Sequence, residues 1–300
     1  MDTPKLRSDA YDRARVNGVE LAYVEVGAGP PIVFVHGGLS DLTYLEPMVT
    51  EFAGQFRAIA YSRRYAWPNP PLPEGAADPV ETQVSDLAGL LVGLRATPAH
   101  VVGHSWGGTV ALLLAARHPQ LVRTLTLIEP EAISLFVGSP PRLARVLRLF
   151  VTRPRTALTI LRTASDALPI RAAYRRGDDE QAIRLALNWA NGYDFSRELG
   201  PVDRLHVLAN VGFSKAGALA DPIKVTDEDT GRIKCPTLLV VGERSPEFFS
   251  AYVAELATLI KQAQVVVIPN ATHGMISQNP QALSEAIRSF VSKQGAIVAS

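Results

Sequence analysis

Ser105 stands in the segment Gly103-His104-Ser105-Trp106-Gly107-Gly108, after the apolar run Ala99 to Val102 and before the small-residue run Thr109 to Ala116. Strand, Gly-x-Ser-x-Gly and helix thus occur in the order that a sharp strand-to-helix turn requires. Side chains at 103 and 107 would collide with neighbouring strand or helix in such a turn, so glycine there lets the hydroxyl project freely. A helix starting at Trp106 also aims unpaired N–H groups, and the positive end of its dipole, at an oxyanion formed on an acyl group attached to Ser105. The chemistry this suits is acyl transfer through a serine ester.

An alcohol is a poor nucleophile, so Ser105 needs a base that takes its proton on attack and returns it to the leaving group. Six histidines are available. His100 lies inside an apolar run, His118 precedes Pro119 at a helix end, His104 flanks the serine and His206 lies far from any strand pattern; none has an obvious catalytic setting. His273 sits in Pro269-Asn270-Ala271-Thr272-His273-Gly274, directly after the last apolar β-branched run. The order Ser before His also fits a hydrolytic triad built on a strand-to-helix turn.

The elements that must hold these residues are legible as short apolar runs at Ile32 to Val35, Ala58 to Tyr61, His100 to Gly103, Leu125 to Ile128, Thr237 to Val241 and Val265 to Ile268. Continuous apolarity predicts strands buried on both faces. Helical patterns at Glu81 to Leu94, Gly107 to Arg117, Glu247 to Ile260 and Gln281 to Val291 alternate with them, which predicts a parallel sheet with helices on both sides. Ahead of these, residues 15 to 26 alternate around Asn17-Gly18, the signature of a tight β-hairpin.

The alternation stops between Glu131 and about Arg232, where the chain reads as helices punctuated at Pro140-Pro141, Pro154, Pro169, Gly177, Gly200-Pro201 and Pro222. The expected organisation is a core of residues 1–130 and 233–300 with a helical cap at 131–232. Within it Arg142, Arg145 and Arg148 share one helical face and Leu143, Val146, Leu147 and Phe150 the other. Residues 142 to 176 hold nine Arg against one acid, Asp166. Charge of this kind is ordinarily a solvated face, although it could also steer an anionic substrate or touch a membrane.

From the hairpin near Val16 to the helix ending near Val291, the chain resembles the α/β-hydrolase superfamily. The resemblance implies a mostly parallel eight-stranded sheet with helices on both faces and an inserted helical cap. His36-Gly37-Gly38, directly after Ile32 to Val35, is similar to the family's oxyanion turn; by position the Gly38 N–H, with that of Trp106, would hold the oxyanion, and His36 would order the turn. The resemblance also places the general base in the loop of His273. It departs at the acid. The family usually has Asp about three residues past the glycine that ends the strand at 237–241, but Gly242-Glu243-Arg244-Ser245 puts Ser245 there, and Ser cannot stabilise an imidazolium by charge. Glu129, 24 residues after Ser105, resembles in position the acid of haloalkane dehalogenases and of zearalenone-type lactonases. Glu243 and Glu247 compete with it. Where the family commonly has Asp-x-Arg-Gly-x-Gly, this chain has Tyr61-Ser62-Arg63-Arg64-Tyr65-Ala66-Trp67-Pro68, and only Arg63 matches. Tyr65 and Trp67 are candidate substrate-binding residues at the pocket mouth.

The chain has 300 residues, enough for a full core, and its formal charge of +1 offers no long-range field for nucleic acid or membranes. Cys235 is the only cysteine, which excludes an internal disulfide or a multi-thiolate zinc site. No run approaches the length of a membrane span, and the charged first thirty residues, with Asp2, Lys5, Arg7 and Asp9 among them, hold no signal-peptide pattern, so a cytoplasmic location is expected. The expected function is cleavage of a small ester, lactone or amide with no cofactor and no metal. C–C bond hydrolysis, cyclisation or cofactor-free oxygenation with the same residues, or a small-molecule receptor, are the alternatives the fold permits. Oligomeric state is open.

Overall fold

The computed structural model describes residues 10–298; residues 1–9, with the charges counted at the amino end, and residues 299–300 lie outside it. One eight-stranded sheet organises the chain: β1 (Asp12–Val16), β2 (Val19–Val26), β3 (Pro31–Val35), β4 (Arg57–Tyr61), β5 (Ala99–His104), β6 (Val122–Ile128), β7 (Thr237–Gly242) and β8 (Ala263–Ile268). Their spatial order is β1-β2-β4-β3-β5-β6-β7-β8. The β1–β2 and β2–β4 pairs are antiparallel and all the others parallel, as expected from the sequence. Asn17 and Gly18 both take positive φ, 45° and 80°, and close the β1–β2 hairpin at one sheet edge.

Helices α1 (Glu46–Phe52), α2 (Val80–Gly93) and α3 (Trp106–Arg117) follow β3, β4 and β5. Alternate strand residues feed two apolar layers. Val33 and Val35 of β3, Leu125 and Leu127 of β6, and Leu239 and Val241 of β7 pack with α2 and α3. Ile32, Phe34, Ile128, Leu238 and Val240 pack with α1 on the opposite face. Double-sided burial is the reason these runs are apolar throughout rather than alternating. β8 departs from this expectation. It is an edge strand whose Val265 and Val267 are exposed, while Val266 between them packs on the α1 face of the sheet.

Between β6 and β7 the chain is helical: α4 (Ser134–Val137), α5 (Leu143–Thr152), α6 (Pro154–Arg176), α7 (Asp179–Asn191), α8 (Pro201–Ala209), α9 (Val211–Leu219) and α10 (Asp227–Arg232). After β7 come α11 (Glu247–Leu259), then β8, α12 (Met275–Gln278) and α13 (Pro280–Val298).

The insertion is latched to the sheet by a buried polar cluster. Asp41, beyond β3, is fully buried and accepts from His206 Nδ1 at 2.9 Å and Asn210 Nδ2 at 2.7 Å, both from the α8 end. The Trp67 N–H donates to Asn210 Oδ1 at 2.8 Å, and its indole meets His206 edge-on at 4.7 Å. A buried carboxylate so surrounded by donors avoids the penalty of an unpaired charge.

Candidate active site

β5, β6, β7 and β8 run parallel, so their carboxyl ends open on one edge, where open α/β sheets place their sites. Ser105 leaves β5 with φ 54° and ψ −125°, the sharp turn that glycine-flanked spacing predicted, and its N–H donates to Ile128 O at 2.8 Å. The neighbouring glycines are sterically obligatory. A Cβ on Gly107 would lie 2.2 Å from His36 O, and one on Gly103 would lie 2.6 Å from Gly107 O. Ser105 is half-buried at the start of α3.

Glu129 follows the last residue of β6 with φ 45°, and its N–H donates to Val240 O at 3.1 Å. Its carboxylate is fully buried and has two partners: Gly242 N–H donates to Oε1 at 2.8 Å, and His273 Nδ1 to Oε2 at 2.6 Å. A carboxylate only accepts, so the proton lies on Nδ1 and leaves Nε2 as the basic nitrogen. Of the competing acids, Glu243 accepts from Asn270 N at 2.7 Å and Glu247 from Thr159 Oγ1 at 3.4 Å. Ser245, at the usual acid position, has a buried hydroxyl with no partner among the described residues.

The His273 loop is held from two sides. Asn191, at the end of α7, accepts from Thr272 Oγ1 at 2.8 Å and Gly274 N at 2.9 Å, so the inserted helices support it. The imidazole lies flat on Phe249, with 4.2 Å between centroids and 7° between planes. His104 faces it at 4.6 Å, and His104 Nε2 donates to His273 O at 3.0 Å. Burial, then the nearby His273, holds the His104 pKa well below its usual value, so its ring stays neutral. Phe249 and His104 were missed as site residues from sequence. Adjacency to Ser105 was the available signal for His104; Phe249 had none, since only tertiary packing sets its ring against His273.

His36 is buried, donating from Nδ1 to Gly37 O at 2.9 Å and accepting from Arg63 N at Nε2 at 2.9 Å. Burial lowers its pKa to about 3. It orders the turn, as expected. The Arg63 guanidinium completes the frame: Nε donates to His36 O at 3.1 Å and Nη2 to Gly37 O at 2.8 Å, while Trp106 and Phe213 stack on it at 4.2 and 4.9 Å. Burial pushes its pKa down to about 10, which leaves it charged at neutral pH. With both carbonyls engaged by Arg63 and His36, the turn is rigid where Gly37 approaches Ser105; a Cβ there would lie 3.0 Å from Ser105 Cβ. Leu39 N donates to Ser214 Oγ of α9 at 2.7 Å, so the insertion also touches this turn. Among the described residues neither Gly38 N–H nor Trp106 N–H has an acceptor.

Tyr65 and Trp67 make their described contacts elsewhere. Tyr65 lines a surface groove with Arg13, Leu21, Arg64 and Pro68, and Trp67 packs on Tyr11 and His206. Neither has a described contact with Ser105 or His273. Among the described residues no cluster of His, Cys, Asp and Glu suits a metal ion.

Comparison with known proteins agrees with this architecture. A family profile described as alpha/beta hydrolase fold matches residues 30–280. The chain is 26% identical over 301 residues to the sn-1-specific diacylglycerol lipase ABHD11 of Mus musculus, covering 95% of this chain and 89% of that protein. It is also 26% identical over 289 residues to 2-(acetamidomethylene)succinate hydrolase of Mesorhizobium japonicum, covering 93% and 94%. Among solved structures, the enol-lactonase from Burkholderia xenovorans superposes with a TM-score of 0.73 at 21% identity, covering 94% of this chain and 100% of that one. From the sheet order, the strained serine turn and the matched residues together, the chain belongs to the α/β-hydrolase fold family and is an enzyme of that fold.

Proposed function

We propose that this protein is a serine hydrolase that cleaves a small ester, lactone or amide through an acyl-enzyme. The observation that carries the reading is the buried 2.6 Å contact of Glu129 with His273 Nδ1, together with the strained turn of Ser105, whose chain neighbour His104 faces the His273 ring at 4.6 Å. Ser105 Oγ attacks the acyl carbon while His273 Nε2 takes its proton, and Glu129 stabilises the imidazolium. The Gly38 and Trp106 N–H groups receive the oxyanion. Collapse expels the leaving group with the proton from His273, and water, activated by the same base, then releases the acid and restores Ser105.

The activities of the relatives, a diacylglycerol lipase, a 2-(acetamidomethylene)succinate hydrolase and an enol-lactonase, support acyl chemistry of this kind. We read residues 131–232 as a cap over the site, supported by Asn191 and Ser214, which tie α7 and α9 to the base loop and the oxyanion turn.

Intact-mass analysis after exposure to a fluorophosphonate tests the reading. One adduct on the unaltered chain, lost in Ser105→Ala and in His273→Ala, is the expected result. A folded protein that takes no adduct from a probe small enough to pass the cap would overturn acyl chemistry in favour of another reaction on this fold.

A further inference from the structure

The helices α5 and α6 carry exposed apolar stripes that none of the described residues covers. On α5 the residues at spacing four, Leu143, Leu147 and Val151, are 73%, 55% and 84% exposed, with Phe150 beside them. The helix is anchored through Leu149, which is buried, and Val146, which packs on the main core. The sequence pattern therefore sends only part of its apolar surface inward, and the stripe at 143, 147 and 151 is turned out. The α6 helix packs on α5 and shows a second outward stripe of Leu158, Leu161 and Leu168.

The stripes are bordered by arginine. Residues 142–176 carry nine Arg and one acid, Asp166, although the whole chain is nearly neutral. Arg153 is paired with Glu255, Arg145 is bound to Leu135 O, and Arg171 to the carbonyls of Leu219 and Ala220. Arg148, Arg155 and Arg162 have no described carboxylate partner and are exposed. By helical spacing Arg148 adjoins Val151, and Arg155 and Arg162 adjoin Leu158.

We propose that this face docks on an anionic bilayer, with the α5 and α6 leucines, Phe150 and Val151 entering the boundary between headgroups and acyl chains and the free arginines on lipid phosphates. Charge complementarity selects this occupant. A second copy meeting the same face about a two-fold axis would set arginine against arginine, with Asp166 alone in residues 142–176 to offset nine arginines. A nucleic acid would meet the arginines but leave the apolar stripe in water. Among the described residues no helix is long and apolar enough to cross a membrane, so the helices lie on the surface and do not span it.

The inference does not depend on the catalytic reading, because docking needs no activated serine. The full chain, carried as Ser105→Ala so that no lipid ester is turned over, is co-sedimented with vesicles of phosphatidylcholine alone and of phosphatidylcholine mixed with phosphatidylglycerol. The expected result is association with the anionic vesicles only, weakened by salt, and reduced roughly tenfold or more both by Leu143→Ser/Leu147→Ser/Val151→Ser and by Arg148→Glu/Arg155→Glu/Arg162→Glu. All six side chains are exposed, so both variants are expected to keep the unaltered thermal midpoint, and that is measured alongside. Three outcomes would overturn the inference: no association with anionic vesicles, full association retained by the apolar variant, or a dimer in sedimentation velocity that the apolar substitutions abolish.

Discussion

Glu129 and His273 lie 144 residues apart in the chain and 2.6 Å apart in the fold, and the carboxylate that meets the imidazole is also held by Gly242 N–H. This carboxylate thus springs from the end of β6, while its second anchor, Gly242, ends β7. Glu129→Gln is expected to preserve the fold and lower kcat roughly 10³- to 10⁴-fold, because the amide no longer favours the Nδ1–H tautomer or the imidazolium. Ser245→Ala and Glu243→Gln are expected to leave kcat within about threefold, since neither side chain has a described contact with His273. Steady-state hydrolysis of a small activated ester, with circular dichroism as the folding control, decides between them; full activity in Glu129→Gln would sink the assignment.

Phe249 confines the His273 imidazole by lying flat against it at 4.2 Å. Phe249→Leu keeps most of the volume but loses the planar wall, so the imidazole gains freedom to leave its productive orientation. We expect kcat to fall roughly tenfold to a hundredfold with little change in KM. Phe249→Ala adds a cavity and should cost about 3–5 kcal/mol of stability. Unaltered kcat in Phe249→Leu would reduce the ring to ordinary core packing.

Gly107→Ala puts a methyl group 2.2 Å from one backbone carbonyl oxygen and 2.6 Å from another, His36 O and Val35 O. Neither atom belongs to a side chain that could swing away. A loss of about 1–3 kcal/mol or more is expected in urea unfolding, together with loss of activity, since relief requires the elbow or the oxyanion turn to move. At Gly212, by contrast, no heavy atom lies within 4 Å of an added Cβ, and the same substitution should be tolerated.

His36 and His100 are held neutral by burial, with pKa values lowered to about 3 and about 4, and His104 lies well below its usual 6.5 for the same reason. Below pH 6.5 the unfolded chain therefore binds protons that the folded chain refuses. Stability is complete above that value and is lost as pH falls toward 4, at about 1.4 kcal/mol per pH unit for each histidine. Thermal unfolding between pH 7 and 4.5 should show this slope, and His100→Gln should flatten it; a midpoint independent of pH across that window would contradict the burial argument.

The local chemistry of the chain was sufficient to determine the fold class and to single out the strained turn at Ser105. Apolar runs of strand length alternating with helical patterns are written residue by residue, and the Ser105 elbow needs nothing beyond its own six residues and the elements on either side. The loop of His273 followed from its place after the last strand. The choice among Glu129, Glu243 and Glu247 could not be read in the same way, because it depends on how β6 and β7 register and on where the loop after β8 folds back across their ends. The walls around His273 were equally out of reach: Phe249 is one apolar residue among many on α11 until packing sets its ring parallel to the imidazole. On α5 the pattern announced an amphipathic helix, but only the packing of Val146 and Leu149 decided that Leu143, Leu147 and Val151 face outward. Periodicity is a property of neighbours in the chain, whereas hydrogen-bond partners and covered surfaces belong to residues that meet only when the sheet has formed.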